Sequence, residues 1–115
     1  MNNQHLKDFP VWERGAEQSI VRCEVSYSKG GMNMWSYKQE PRGYWLHVTP
    51  LVLEKGDGFT VQKHALFSGH KFFLLEAKRF SAKAMRDAVL IGAQRLNDPT
   101  VVAFIEELTR VPVEA

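Results

Sequence analysis

The chain has 115 residues, 44% of them hydrophobic and 24% charged, with a formal net charge of +2. That length fits one domain able to bury a core without disulfide or metal staples. The balance excludes a disordered chain, and so mild a charge does not by itself argue for nucleic acid or a membrane. Cys23 is the sole cysteine, so an internal disulfide is excluded and a reducing setting fits. The polar stretch Met1 to Asp8 is no secretory signal, and the longest apolar runs, Leu51–Leu53 and Phe72–Leu75, are far too short to span a bilayer. A cytoplasmic protein, in a cell or in an infected host, is the expectation.

Residues 1–18 show little periodicity. Phe9, Val11 and Trp12 form either an apolar clip folded back on the domain or part of a frayed, extended terminus. Ile20 to Tyr27 alternates: Val21, Cys23, Val25 and Tyr27 share one face, and Arg22, Glu24 and Ser26 the other, which predicts a half-buried strand. Ser28-Lys29-Gly30-Gly31 has the glycines of a tight reversal, after which Met32 to Lys38 is expected to run back as a second strand. Glu40-Pro41-Arg42-Gly43 reads as a type I turn. In Tyr44 to Thr49 the residues Tyr44, Leu46 and Val48 face one way and Trp45, His47 and Thr49 the other; Pro50 marks a strand end, an edge or a bulge. Gly56-Asp57-Gly58 is a third turn, and Phe59 to Phe67 a last, weaker strand.

From residue 70 the spacing changes. Phe73, Ala77, Phe80, Ala84, Ala88 and Ile91 recur every three or four residues, which predicts an amphipathic helix that Ser81 either interrupts or does not. Asp98 as N-cap and Pro99 at the first helical position start another, with Val101, Phe104, Ile105 and Leu108 as its apolar face. The fold class is α+β: an antiparallel meander of three to four strands followed by two or three helices on one face, in a single domain over residues 1–115.

Motifs for catalysis, nucleotides or metals are absent. His5, His47, His64 and His70 do not fall at ligand spacing, no GxSxG elbow or phosphate loop occurs, and Cys23 sits mid-strand on the buried face. No cofactor and no enzymatic activity are expected. Two surfaces suit a macromolecular partner. One is a basic stripe, Arg79, Lys83 and Arg86 at i, i+4 and i+7, with Lys78 beside it, fit for phosphates or an acidic protein, or simply a solvated face. The other is an aromatic and basic cluster around the middle turn, Trp35, Tyr37, Lys38, Arg42 and Trp45, with Tyr44 adjoining. There Trp35 or Tyr37 is expected near Trp45 across the sheet, either as a binding centre or as a second core covered by Trp12.

The stretches Tyr27-Ser-Lys-Gly-Gly-Met-Asn33 and Glu40-Pro-Arg-Gly-Tyr-Trp-Leu-His-Val-Thr-Pro50, ending in Phe67-Ser-Gly69, resemble a small domain family carried as open reading frames of gut bacteria, their prophages and mobile elements. The resemblance covers roughly residues 20 to 90 and rests on turn and strand residues. It implies an accessory protein that binds a protein partner, a host defence complex in the manner of anti-CRISPR inhibitors, and assigns no site residue. Ser81 to Ala88 after a set of strands is also similar to the closing helix of double-stranded RNA-binding domains, which implies nucleic-acid binding; the first helix of that family has no counterpart in residues 1–18. A third reading is a small enzyme assembled from distant residues such as His47 and His64.

Overall fold

The computed structural model describes residues 3–32, 37–65 and 69–110. The strands are β1 (Asn3–Arg14), β2 (Glu17–Ser28), β3 (Gly31–Met32), β4 (Gln39–Glu40), β5 (Gly43–Gly56), β6 (Phe59–Ala65) and β7 (His70–Glu76); two helices follow, α1 (Ala82–Arg95) and α2 (Pro99–Thr109). The class is α+β, as the periodicity predicts. Strands β1, β2 and β5 lie side by side, all antiparallel. The far edge of β5 is covered in two pieces, β6 along Leu51 to Gly56 and β7 along Gly43 to Val48. The small β3–β4 ladder stands apart from this sheet.

Alternation in β2 and β5 fixes the inner face. Cys23 lies opposite Val48, Val25 opposite Leu46 and Tyr27 opposite Tyr44. Val21, Cys23, Val25, Tyr44, Leu46 and Val48 are buried there beneath Ala88 of α1 and Val101 and Ile105 of α2. Burying each large aliphatic side chain contributes about 1.5–3 kcal/mol, so this row is the main source of stability. The close approach of α1 rests on Gly92, where a Cβ would stand 2.9 Å from Val25 Cγ2.

Three expectations are corrected. Residues 3–14 are a complete strand rather than a frayed end, and its Phe9 and Val11 pack against the core. Its period is hidden by two register shifts, at His5/Lys7 and Pro10/Trp12, so the core-facing Leu6, Phe9 and Val11 are not evenly spaced. His70–Glu76 is a strand, not the start of a helix. A short apolar run such as Phe72 to Leu75 suits either state, and the free edge of β5 decides it. Of the expected return strand 32–38, Met32 pairs with Gln39 of β4 and Tyr37 and Lys38 are in no strand, while β1 and β5 occupy both sides of β2; residues 33–36, Met34 and Trp35 among them, lie outside the described residues.

Ser81 marks where sheet gives way to helix. Its backbone is extended and its hydroxyl accepts from Ala84 N at 3.1 Å. The Tyr44 hydroxyl donates to Ser81 O at 3.1 Å and accepts from Ser81 N at 3.0 Å, which ties the cap to the central strand. Asp98 caps α2 by accepting from Thr100 N at 2.9 Å. Ser81→Ala and Asp98→Ala are each expected to cost about 1 kcal/mol, and the double variant about their sum, because the caps belong to different helices. Urea unfolding checks this; an unshifted midpoint in either variant would show that its cap contributes nothing.

Candidate functional site

Between β2 and β5 the chain leaves the sheet and returns, and the closing pair of the ladder is Ser28 opposite Gly43. Of the connection between them, residues 29–32 and 37–42 are described and form the base of an arm at the end of a hairpin. Its root is tight: a Cβ on Gly30, at φ +74, would stand 2.7 Å from Glu40 O. Arg42 braces it, donating from Nε to Lys29 O at 2.9 Å and from Nη1 to Lys78 O at 3.1 Å, while its own carbonyl accepts from Ala77 N at 3.1 Å. Glu40 pairs with Lys71 of β7 at 2.7 Å. A cleft of about 520 Å³ opens at this junction, lined among others by Lys29, Gln39, Pro41, Glu76 and Lys78.

Arg42 of the expected aromatic cluster thus touches Lys78, beside the expected basic stripe. Their members fare differently. Tyr37 is 80% exposed, with a backbone φ of 56°. A non-glycine residue in that left-handed region carries strain of roughly 1–3 kcal/mol. Lys38 beside it is exposed, and Met32 in β3 is 61% exposed. Trp35 lies outside the described residues.

Trp45 is the opposite case. It is 8% exposed, between Ser26 of β2 and Phe73 of β7 rather than beside Tyr37. Its ring meets Phe73 edge-on at 5.0 Å, and Lys71 Nζ stands 4.7 Å above it. Trp45 is a packed residue, and its Nε1 has no hydrogen-bond partner among the described residues. Trp12 does not cover it: Trp12 pairs with Ser19 at the far end of β2, under the Arg14 guanidinium.

The basic stripe is not one helical face. Arg79 precedes the Ser81 cap, and only Lys83 and Arg86 are on α1; all three, with Lys78, are exposed. The first turn of α1 holds no acidic residue. Cations at a helix N-terminus oppose the helix dipole, each by about 0.3–1 kcal/mol, so their placement is not explained by helix stability.

The sheet face opposite the helices has a polar region between Trp45 with Phe73 and Ile20 with Leu51. Pairing aligns His5, Glu24, His47 and Lys71 in one row, with Asp8, Arg22 and Thr49 in the next. Arg22 donates to both carboxylate oxygens of Asp8, at 3.0 and 3.1 Å, and His5 Nε2 lies 2.9 Å from Asp8 Oδ1. Burial pushes the Asp8 carboxyl up, but the hydrogen bonds and charges of Arg22 and His5 outweigh it and hold its pKa below the ordinary value. His47 is held below 6.5, chiefly by burial and also by Lys71, against the pull of Glu24. Burial, with the nearby Asp8 charge, pushes Cys23 up to about 11, so the thiol is an inert part of the core. The His64 side chain lies outside the described residues. Among the described residues no group of three His, Cys, Asp or Glu could hold a metal ion, and no helix is long and apolar enough to cross a membrane.

No family model, no curated protein and no solved structure matches this chain.

The polar row was half legible in sequence: the outward faces of β2 and β5 contain Glu24, Ser26, His47 and Thr49, but only the register shows which of them stand together. Two outcomes follow. Trp45→Ala is expected to destabilise by about 3–5 kcal/mol in denaturant melts, as loss of a packed aromatic does. Acid should also weaken the fold in two stages. The folded state holds a proton on His47 less well than the unfolded chain, so stability falls as pH drops below 6.5. The Asp8 contribution is present above its unfolded value of 3.8 and is lost as pH falls through its lowered folded value. Urea midpoints against pH should lose the first stage in His47→Gln and the second in Asp8→Asn; identical profiles would contradict both assignments.

Proposed function

We propose that this chain is a non-enzymatic binding domain that docks the acidic surface of a protein partner on its arm end, with Tyr37 as the anchor. The observation that carries the reading is Tyr37 itself: a large aromatic, 80% exposed in a strained left-handed conformation, on an arm whose root is held by Arg42 and by the Glu40–Lys71 pair. Strain of this kind persists where the surrounding structure imposes it, and it concentrates at ligand contacts. Tyrosine is among the residues that dominate interface energetics, and Met32 supplies a second exposed apolar contact.

The charge around the anchor selects the partner. Lys29, Lys38, Lys78, Arg79, Lys83 and Arg86 are exposed on or beside the arm and the start of α1, against Glu76 and Asp87. Such a field speeds encounter with an acidic surface and rejects a basic one, while the buried anchor sets the lifetime of the complex. The narrower form of the proposal, a counter-defence inhibitor of a host defence complex, rests on the resemblance of residues 27–33 and 40–50 alone.

The same cations give the rival reading, nucleic-acid binding. It is favoured by their crowding against the uncompensated N-terminus of α1, where phosphates are well received. One set of measurements separates the two. The tagged protein is used to capture partners from nuclease-treated bacterial lysate, and is titrated in parallel with duplex and single-stranded oligonucleotides at several salt concentrations. Tyr37→Ala is expected to weaken capture of a defined acidic protein by roughly 30-fold, the effect of losing a hot spot of about 2 kcal/mol, with the melting transition unchanged. Lys78→Glu with Lys83→Glu should slow association. If Tyr37→Ala captures as well as the parent, while the charge reversals abolish an oligonucleotide complex whose affinity falls steeply with salt, the protein-docking reading is wrong and the nucleic-acid one holds.

A further inference from the structure

The polar face of the sheet holds a recess that the docking surface does not use. It has a volume of about 160 Å³ and is lined by Asn3, Glu24, Ser26, His47 and Thr49, from β1, β2 and β5. That is room for roughly five water molecules, or for a compact polar head group, at about 30 Å³ per water. Every lining side chain is polar. The neighbours of the recess already have partners: Arg22 and His5 bond to Asp8, and Lys71 bonds to Glu40. The five lining side chains differ, since none of them forms a hydrogen bond with another described residue.

The charge of the recess follows. Arg22 bonds to Asp8, and Lys71, one strand beyond His47, bonds to Glu40; Glu24 acts on Arg22 and His47 through space and has no hydrogen-bonded cation among the described residues. Burial and Lys71 keep the His47 imidazole neutral at pH 7, which leaves it one ring nitrogen as an acceptor. The Ser26 and Thr49 hydroxyls and the Asn3 carboxamide add further acceptors around the same space.

We propose that this recess binds the head group of a small organic cation rich in N–H donors, a primary ammonium or a guanidinium. Glu24 accepts the charge-assisted hydrogen bonds, which are about twice as strong as neutral ones, and His47, Ser26, Thr49 and Asn3 take the remaining donors. Such a head group belongs either to a free amine or to a Lys or Arg side chain of a polypeptide; the chemistry is shared.

The test is an NMR titration of backbone amides in the ¹⁵N-labelled protein with methylguanidinium chloride and methylammonium chloride. Tetramethylammonium chloride, which has the charge but no N–H, is the control. Saturable shifts are expected for amides of residues 24–26 and 47–49, with at least tenfold weaker binding in Glu24→Gln and several-fold weaker binding in Thr49→Val. If Glu24→Gln does not fold, the double variant Ser26→Ala with Thr49→Val makes the same test. A blocked Gly-Arg-Gly peptide then distinguishes the sources: binding tighter than methylguanidinium supports a side chain, and weaker binding supports a free amine. The variants leave the arm untouched, so their outcome is independent of Tyr37→Ala. Shifts that do not saturate, equal affinity in Glu24→Gln, or equal saturation by tetramethylammonium would overturn the proposal.

Discussion

The register between β2 and β5 is the constraint on which the other features depend. It runs without interruption from Glu17 opposite Glu54 to Ser28 opposite Gly43. Side chains alternate between faces with a period of two, so a slip of one residue would turn Val21, Cys23 and Val25 toward water and drive Arg22 and Glu24 beneath the helices. The cost of burying those charges locks the pairing. Both faces of the sheet inherit this order: the helices cover one, and the polar row of His5, Glu24, His47 and Lys71 assembles on the other.

The same register explains why the arm is free to vary in purpose. Because Ser28 already meets Gly43, residues 29–42 add nothing to the ladder. A long connection at a hairpin end is where binding residues are commonly carried by a rigid scaffold. The arm is nonetheless anchored. Arg42 joins it to the segment before α1 by donating to Lys78 O and by accepting from Ala77 N at its own carbonyl, and Tyr44 and Tyr27 fasten that segment to the sheet through Ser81 and Ala77. Tyr27, Tyr44 and Phe80 pack edge-to-face or tilted beneath this joint, with centroids 5.1 to 6.2 Å apart.

Charge is sorted between the surfaces rather than spread evenly. On the sheet face Arg22 sits with Asp8 and Lys71 with Glu40, while Glu24 acts on Arg22 and His47 through space. At the arm end the cations outnumber the acids and crowd the positive pole of α1. A net charge of +2 conceals this arrangement, because pairing in one place leaves an excess in another.

Much of the fold was determined by the sequence alone. Alternation gave the inner and outer faces of β2 and β5, Asp98 marked a helix start, and the class followed from strands that need cover and helices that supply it. These are signals that each segment carries within itself. Tertiary structure decided the rest. The strand character of residues 3–14 was hidden by two bulges, and that of His70–Glu76 depended on a vacant edge of β5. The fates of Tyr37 and Trp45, one displayed and one packed, were not distinguishable from composition, because an aromatic next to Arg and Lys looks the same in either setting. Only long-range pairing brought Phe73 and Lys71 onto Trp45 and gathered Asn3, Glu24, Ser26, His47 and Thr49 around one recess. Such contacts join residues far apart in the chain, and local periodicity contains no information about which distant strand will fill an open edge.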